Sequence, residues 1–461
     1  GSYMTGLQSK PGSPGWREAF GIYTRPQVIA MALLGFAGGL PFLLVFSTLT
    51  AWLRDAEVSR STIGFFAWVG ITYSVKFFWA PVVDRLALPF LHSLGRRRSW
   101  ILLAQCGISA GLFGMSLSGP DDLLPLSLFA LLVAFSSATQ DIGIDAYRIE
   151  AADERYQGAM SAAYIFGYRV ALLAAGAGAL YLAEYLGWTL AYQAMAVLMV
   201  VGMITILLVR EPDASGRPAV SDADQARVDA LLADRTGLQG LPRRIAAWLI
   251  TSVAFPFLDF FRRNGRFALT ILLFIAVFRL SDIAMGIMAN PFYLDMGYSK
   301  TDIASIAKVF GFFMSIAGSA VCGVLVVKWG IFRPLLVGAI AVAATNLLFA
   351  LLSTLEPELY WLAMVISADN ISGGFAATAF VAYLSSLTNR SYTATQYALF
   401  SSLMTLPGKF ISGFSGMVVD AFGYFEFFVV AAAIGIPAIL LVLVLMRHDR
   451  VRVAANDPEY Q

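Results

Sequence analysis

Residues 211–229, EPDASGRPAVSDADQARVD, form a polar interruption in a chain that otherwise consists mainly of long apolar runs. They belong to a connection spanning residues 210–266, which is much longer than the other connections in the sequence. Six apolar runs precede this connection and six follow it. The sequence therefore predicts two halves that each contain six apolar segments, joined by one polar linker.

The composition excludes an ordinary water-soluble protein. The 461 residues are 58% hydrophobic and only 13% charged, and the mean hydropathy is +0.72. Soluble domains usually contain about 25% charged residues. We therefore predict an all-α integral membrane protein, because a helix satisfies its backbone polar groups within one segment. The net charge of +2 gives no indication of nucleic-acid binding.

A membrane-spanning helix needs about 20 mostly apolar residues. Twelve segments meet this requirement, at 27–53, 62–83, 99–118, 125–148, 159–185, 188–209, 267–294, 302–327, 333–354, 359–385, 392–420 and 424–446. The predicted domains are a tag remnant and N-terminal segment (1–26), a six-helix bundle (27–209), a linker (210–266), a second six-helix bundle (267–446) and a tail (447–461).

One segment within the linker, RRIAAWLITSVAFPFLDFFRR (243–263), is also apolar. Pro256 and Asp259 interrupt it and arginines flank it. A thirteenth span here would reverse the orientation of every later loop. We therefore predict a helix that lies in the cytoplasmic interface of the membrane.

The positive charges support this topology. Of the 32 Lys and Arg residues, only Arg54, Arg60 and Lys300 fall in predicted external loops. Five lie deep within spans, namely Lys76, Arg169, Arg279, Lys308 and Lys409. Arg148 and Arg333 lie at the cytoplasmic ends of predicted spans, and the others fall in segments predicted to be cytoplasmic. Cytoplasmic loops of membrane proteins carry an excess of Lys and Arg. Both termini are thus predicted to be cytoplasmic.

The two halves resemble each other at a spacing of 240 residues. VSRSTIG (58–64) aligns with YSKTDIA (298–304), and the same shift places Arg169 onto Lys409. Two related six-helix halves are the arrangement of the major facilitator superfamily, whose binding site lies at the midplane between the halves. The chain is therefore predicted to have the major facilitator fold.

A group of charges follows the second predicted span. Asp84 and Arg85 are followed, after nine residues, by Gly95 and by Arg96 and Arg97. The pattern resembles the cytoplasmic gate motif G-x-x-x-D-R-x-G-R-R of the same superfamily, which has one residue in place of nine. In a gate, Asp84, Arg85, Arg96, Arg97 and Arg148 would tie helix ends together in one transport state. Alternatively, some of these arginines serve only as positive-inside anchors.

The stretch AFSSATQDIGIDAYR (134–148) places four polar residues on one predicted span: Gln140, Asp141, Asp145 and Arg148. Ser137, Asp141, Asp145 and Arg148 fall within an arc of roughly 80° at helical spacing. Ionisable residues inside a membrane usually face a cavity and mark a transport pathway or a proton relay. Asp145 and Arg148 could alternatively form a structural ion pair.

Other polar residues are predicted at similar depth. They are Tyr73 and Lys76 in span two, Tyr168 and Arg169 in span five, Arg279 and Asp282 in span seven, Asp369 and Asn370 in span ten, and Lys409 in span eleven. Some of these charges must neutralise each other, and Arg279 with Asp282 could be such a structural pair. The remaining charges favour a large, polar, anionic solute.

Several long motifs resemble the AmpG muropeptide permeases, which are transporters of the major facilitator superfamily. These motifs are LLGFAGGLPFLLVFSTLTAWL, TIGFFAWVGITYSVKFFWAPVVDR, GRRRSW, SATQDIGIDAYR and GYR. The resemblance extends from Trp16 to the last predicted span. It implies a transporter in the bacterial inner membrane rather than an enzyme.

The resemblance also implies a substrate. N-acetylglucosaminyl-1,6-anhydro-N-acetylmuramyl peptides would enter from the periplasm for peptidoglycan recycling, driven by protons, and would contribute to β-lactamase induction. The expected partners are this muropeptide, protons and the lipid bilayer. No cofactor or metal is expected, and the protein is expected to be a monomer.

Within this framework, two groups of site residues are predicted. The substrate-binding residues are Tyr73, Lys76, Gln140, Tyr168, Arg169, Arg279, Asn370 and Lys409, and Trp79 is a further aromatic candidate. The proton-coupling residues are Asp141, Asp145, Asp282 and Asp369, with Asp141 as the leading candidate.

Three alternatives stay open at this point. Another major facilitator could carry a different large anionic conjugate, such as an acyl-CoA-like compound or a sugar. A sensor could bind muropeptide without moving it. A membrane-embedded enzyme is disfavoured, because Cys106, Cys322, His92 and His448 are scattered along the chain and form no arrangement of nucleophile, base and metal ligands.

Overall fold

The protein is described by a computed structural model that covers residues 15–58, 69, 71–212, 222–233, 239–299, 302–412 and 414–456. The regular elements of these residues are all helical. Eleven of the helical segments are long and apolar enough to cross a membrane. This architecture confirms the predicted all-α membrane fold.

The helices of the first half are connected mainly by short turns. They comprise Pro26–Leu44, Ser47–Asp55, Ile71–Ser74, Ala80–Arg85, Arg96–Ser118, Leu123–Ala151, Gln157–Leu173, Ala179–Leu186, Trp188–Leu198 and Val200–Leu208. A π-helical turn, Ala174–Gly178, joins two of them within the fifth span. The predicted second span is not one continuous α-helix where it is described, because a 3₁₀ turn at Lys76–Phe78 separates its two short helices.

The linker and the second half are also helical. Their α-helices are Asp222–Leu232, Leu241–Leu249, Phe255–Asn264, Phe267–Val277, Leu280–Asp295, Gly311–Trp329, Phe332–Leu352, Leu359–Ser386, Thr393–Ser412, Ser415–Phe422 and Tyr424–Ala455. Two π-helical segments, Ile250–Ala254 and Ile303–Phe310, complete the linker helix and the eighth span.

The eleven apolar segments differ from the twelve predicted spans at three places. The linker segment Leu241–Asn264 is included, whereas the predicted spans 62–83 and 392–420 are not. Much of 62–83 lies outside the described residues. The region 392–420 divides into Thr393–Ser412 and Ser415–Phe422, and its polar residues lower its hydropathy.

The two halves contact each other at the end of the bundle that contains Asp84, which we call the Asp84 end. Here Ile142 and Ala146 of the fourth span pack in one cluster with Ala394 and Ala398 of the eleventh span. The Tyr23 hydroxyl also donates to the Ala320 carbonyl oxygen at 2.5 Å. The halves are thus joined by apolar packing and hydrogen bonds at this end.

At the opposite end, the halves form separate cores. One apolar cluster there draws its buried residues from 37–199, and another draws its buried residues from 285–431. Neither cluster of described residues mixes the two halves. The halves are therefore held together at the Asp84 end and have independent cores at the other.

Close helix packing in the first half depends on glycine. A Cβ atom at Gly167 in the fifth span would overlap the carbonyl oxygen of Ala32 in the first span and come within 2.8 Å of the Phe36 nitrogen. We expect Gly167→Ala to lower the unfolding temperature, because overpacking of this kind costs about 1–3 kcal/mol or more. Gly373→Ala is the matched control, since a Cβ atom there has nothing within 4 Å. Thermal unfolding in detergent measures the difference, and equal temperatures for both variants would contradict the expectation.

Candidate functional site

The polar stripe of the fourth span contains buried oxygen atoms without hydrogen-bond partners. Gln140 is fully buried, and its Nε2 donates to the Ala37 carbonyl oxygen at 3.0 Å. Its Oε1 and the Asp141 Oδ1 atom are both buried and unpartnered. Ser137, one helical turn before Asp141, is also fully buried. Buried polar groups are normally hydrogen-bonded, and exceptions require an explanation such as a bound ion, water or solute.

The second and fourth spans bring a cation and two carboxylates together. Lys76 interacts electrostatically with both Asp141 and Asp145. The hydroxyls of Tyr73 and Tyr168 are also close enough to Asp141 to interact with it. The sequence predicted these residues separately as site candidates. The tertiary structure places them around one carboxylate.

A second group of charges links the two halves. Arg279 Nη2 and Asp282 Oδ2 in the seventh span form an ion pair at 3.0 Å, with about a third of each side chain exposed. Arg169 of the fifth span interacts electrostatically with both members of this pair. Asp369 of the tenth span lies within electrostatic range of Asp282. Arg279 and Asp282 thus form the predicted pair, which also faces a cation from the other half.

Two predicted side chains, those of Asn370 and Trp79, do not join either group, and a third lies outside the described residues. Asn370 Nδ2 donates to the Ile366 carbonyl oxygen of its own helix at 2.9 Å. The Lys409 side chain lies outside the described residues. Trp79 donates to Thr139 Oγ1 at 3.0 Å and lines an apolar groove with Phe135, on the face of the fourth span away from the polar stripe. A role of Trp79 in the site stays a prediction.

The Asp84 end contains a buried ion-pair cluster. Arg97 Nη2 contacts Asp84 Oδ1 at 2.7 Å, and Arg97 Nε donates to Glu150 Oε1 at 2.5 Å. Arg96 Nη1 donates to the Asp84 backbone oxygen at 2.8 Å. A 3₁₀ turn at His92–Leu94 brings the arginines back to Asp84 despite the nine intervening residues. The longer spacing of the motif therefore does not prevent these contacts.

The same aspartate binds the start of the eleventh span. Asp84 Oδ1 accepts from the Ala394 nitrogen at 3.1 Å, and Asp84 Oδ2 accepts from the Thr395 nitrogen and hydroxyl at 2.8 and 2.7 Å. The first backbone N–H groups of a helix have no partners within the helix, and an anion is favourable there. The first half therefore caps a helix of the second half.

Arg148 makes a second link between the halves. Its Nη1 donates to Ser385 Oγ at 2.6 Å, and its guanidinium lies 5.1 Å from the Tyr397 ring centroid. Its Nη2 lies 3.6 Å from Asp145 Oδ1, so the predicted pair is an ion pair without a close hydrogen bond. Arg85 stacks near the Tyr392 ring at 5.1 Å. All five predicted gate residues thus lie at the joined end of the two halves.

The ionisation of Asp84 leads to a prediction about pH. Burial alone would raise the pKa of Asp84, but the Arg97 guanidinium and the hydrogen bonds from Thr395 outweigh it and hold this pKa below its usual range. The contribution of ionised Asp84 is then present above the ordinary carboxylate pKa and is lost only when the pH falls through the lowered value. We expect the Asp84 end to stay closed from neutral pH down to about pH 5.

The reaction rate of a buried cysteine tests this prediction. Ala398 is 2% exposed at the joined end, and a cysteine there can be labelled in a Cys106→Ser background. Ala398→Cys should react slowly with a thiol reagent both at neutral pH and at about pH 5, after the rate is corrected for the fraction of thiolate. A large rise in the corrected rate between neutral pH and about pH 5 would contradict it.

Sequence reasoning missed the partners of the gate residues. The network is completed by Thr395, Ser385 and Tyr397 of the second half, by Glu150 of the first half and by Glu211 at the start of the linker. Glu211 accepts from the backbone nitrogens of Arg97 and Arg98. The one available signal is the polar stretch TATQY (393–397) at the beginning of the predicted eleventh span. No group of three or more His, Cys, Asp or Glu side chains with metal-binding geometry occurs within the described ranges.

Comparison with known proteins gives three findings. The profile of the Major Facilitator Superfamily matches residues 28–412. The chain is 33% identical over 426 residues to the anhydromuropeptide permease of Escherichia coli K12, covering 92% of this chain and 80% of the permease. It is also 34% identical over 427 residues to a putative transporter, AmpG 4, of Rickettsia conorii, covering 92% and 97% of the two chains.

A solved structure shows the same fold at much lower identity. The proton:xylose symporter XylE, bound to 6-bromo-6-deoxy-D-glucose, aligns with a TM-score of 0.62 and 14% identity. The alignment covers 93% of this chain and 96% of the symporter. At this identity, the similarity concerns the fold alone.

Proposed function

We propose a function that follows from the family of this chain, which belongs to the major facilitator superfamily and within it to the AmpG muropeptide permeases. The protein would import N-acetylglucosaminyl-1,6-anhydro-N-acetylmuramyl peptides together with protons. The chain is a multi-pass membrane transporter. The import would run from the periplasm to the cytoplasm across the bacterial inner membrane. The proposal rests most directly on the buried, unpartnered Asp141 oxygen beside Lys76.

The cations near the interface of the halves support an anionic, peptide-bearing substrate. Lys76, Arg169 and Arg279 provide positive charge from three different spans. The stem peptide of a muropeptide carries carboxylates, which guanidinium and ammonium groups bind through charge-assisted hydrogen bonds. Tyr73 and Tyr168, beside Asp141, would contact the sugars. Gln140 would then contribute its free Oε1 to a substrate hydroxyl or amide.

The distribution of contacts favours alternating access from a state open to the periplasm. The positive-inside pattern assigns the Asp84 end to the cytoplasm. The halves are joined at that end through Asp84 and Arg148, while their cores at the other end are separate. Closure of the periplasmic end around the substrate would have to be accompanied by loss of the Asp84 contacts to Ala394 and Thr395.

The four membrane carboxylates have different surroundings, which favour Asp141 as the coupling residue. Asp145 already pairs with Arg148, and Asp282 pairs with Arg279. Asp369 lies near Asp282, a like charge. Asp141 has a cation, Lys76, nearby and one oxygen without a hydrogen bond. A proton on Asp141 would release Lys76 for the substrate. A membrane potential contributes about 2.3 kcal/mol per charge per 100 mV to such uptake.

Uptake by proteoliposomes tests the proposal. Labelled anhydromuropeptide should accumulate inside when an inward proton gradient is imposed, and the accumulation should collapse with a protonophore. Uptake that only equilibrates, with or without the gradient, would remove the proton from the proposal. Binding without any uptake would favour a sensor. Unlabelled sugars and acyl-CoA added as competitors would reveal a different substrate class.

A further inference from the structure

The linker segment Leu241–Asn264, which we call the linker helix, has two different faces. Phe255, Pro256 and Phe260 are buried against the rest of the protein. On the outer side, an exposed apolar stripe recurs every four residues, at Leu241, Ile245, Leu249, Val253 and Phe257. A stripe of this length is unfavourable in water and is typical of a helix that lies in a membrane interface.

The charges of the linker helix complement an anionic surface. Arg243 and Arg244 lie near its start, and Arg262, Arg263 and Arg266 lie at or just beyond its end. Its single acidic residue, Asp259, is paired with Arg263 at 2.9 Å. Each Lys or Arg near an anionic leaflet contributes about 1 kcal/mol of attraction, and such arginines discriminate anionic from neutral lipid.

The inner face of the linker helix holds the beginning of the eleventh span. Gln396 is 1% exposed, and its Nε2 donates to the Pro256 carbonyl oxygen and to Asp259 Oδ2, both at 2.9 Å. Asn389 Nδ2 donates to Asp259 Oδ1 at 3.0 Å. Arg263 Nη2 donates to the Leu387 carbonyl oxygen at 2.9 Å. The linker helix therefore binds both the eleventh span and the loop before it.

Gln396 directly follows Thr395, which binds Asp84. The first turn of Thr393–Ser412 is thus held by Asp84 on one side and by the linker helix on the other. A movement of this turn away from Asp84 must break the Gln396–Asp259 contact or carry the linker helix with it. Because the apolar stripe resists removal from lipid, the second route costs more when the helix is docked.

We propose that the outer stripe and terminal arginines of the linker helix are a docking surface for anionic phospholipid of the leaflet at the Asp84 end. Docked lipid stabilises closure of that end through the Asp259–Gln396 contact. The inference goes beyond the transport function proposed above. Its tests need no muropeptide, so its failure is distinguishable from a wrong substrate or a wrong coupling ion.

The first test measures docking in the full chain. A spin label at Leu249→Cys, in the Cys106→Ser background, reports depth through its relative accessibility to oxygen and to a water-soluble nickel complex. In phosphatidylcholine vesicles containing phosphatidylglycerol, we expect the label to lie deeper than in phosphatidylcholine alone. A label that stays in water, or whose depth is the same in both vesicles, overturns the proposal.

The second test measures the link to closure. Thiol labelling of Ala398→Cys should be at least about threefold slower in vesicles with phosphatidylglycerol than in phosphatidylcholine alone. A change of this size needs only a small part of the attraction that several arginines supply. The triple variant Arg244→Gln, Arg262→Gln and Arg266→Gln should lose both lipid effects. The matched control removes three exposed arginines from the last helix, Arg447→Gln, Arg450→Gln and Arg452→Gln, and should keep both.

A separate variant distinguishes docking from its transmission. Asp259→Ala should leave the depth of the label dependent on phosphatidylglycerol but reduce the lipid effect on labelling of Ala398→Cys, because only the contacts through the Pro256 carbonyl oxygen and Arg263 then remain. An unchanged lipid effect on that labelling would overturn the Asp259–Gln396 route. Equal losses in the two triple variants would overturn the specific docking surface. If a variant does not fold, the proposal is still decided by comparing the two vesicle types for protein that keeps Asp259 and all its arginines.

Discussion

Asp84→Asn is expected to open the Asp84 end and to reduce gradient-driven uptake by roughly tenfold or more. The substitution replaces a carboxylate that accepts hydrogen bonds from Ala394 and Thr395. Arg97 keeps its second carboxylate partner, Glu150, so the main loss is in the hydrogen bonds from the second half to a charged acceptor, which contribute about 1.5–3 kcal/mol each. The closed state loses these contacts, whereas a state in which the halves have separated does not contain them.

Thiol labelling of Ala398→Cys measures this opening, and proteoliposome uptake measures its consequence. Labelling should become faster in Asp84→Asn. Asp121→Asn is the matched control, because Asp121 is exposed in the loop before the fourth span and has no contact with the gate cluster. Unchanged labelling in Asp84→Asn would show that the ion-pair cluster does not hold the halves together.

Asp141→Asn is expected to abolish accumulation driven by a proton gradient while sparing exchange of substrate between the two sides. Asparagine has nearly the shape of aspartate but neither gains nor loses a proton. Exchange requires only that the transporter with bound substrate changes between its two access states. Accumulation also requires a proton to be carried in and released. Two assays on one preparation therefore separate the roles: uptake with an imposed gradient, and counterflow of labelled substrate without one.

The neighbouring carboxylate provides a comparison. Asp145→Asn removes the partner of Arg148, so we expect weaker closure with coupling retained. If Asp141→Asn also eliminates counterflow and binding, Asp141 belongs to the substrate site or to the fold rather than to coupling. If Asp141→Asn accumulates substrate normally, another carboxylate carries the proton, and Asp369 is then the next candidate.

Much of the fold follows from local properties of the sequence. The apolar runs predicted the helical segments because their length and composition match the thickness of a bilayer. The polar linker separated the halves, and the Asp84–Arg97 motif indicated charges at one end. The breaks at Lys76–Phe78 and between Leu44 and Ser47 were not predicted, because hydropathy responds to composition and not to the local backbone conformation.

The sequence by itself determined the class of the protein, its family, and a set of membrane charges that includes Asp141 and Arg169, since a charge deep within a span is costly in lipid. Only the tertiary structure decided which of them meet. Lys76 approaches Asp141, Arg169 approaches the Arg279–Asp282 pair of the other half, and Asp84 binds the backbone nitrogen of Ala394, 310 residues later. Such contacts depend on how the two bundles dock, and no periodicity within one helix contains that information.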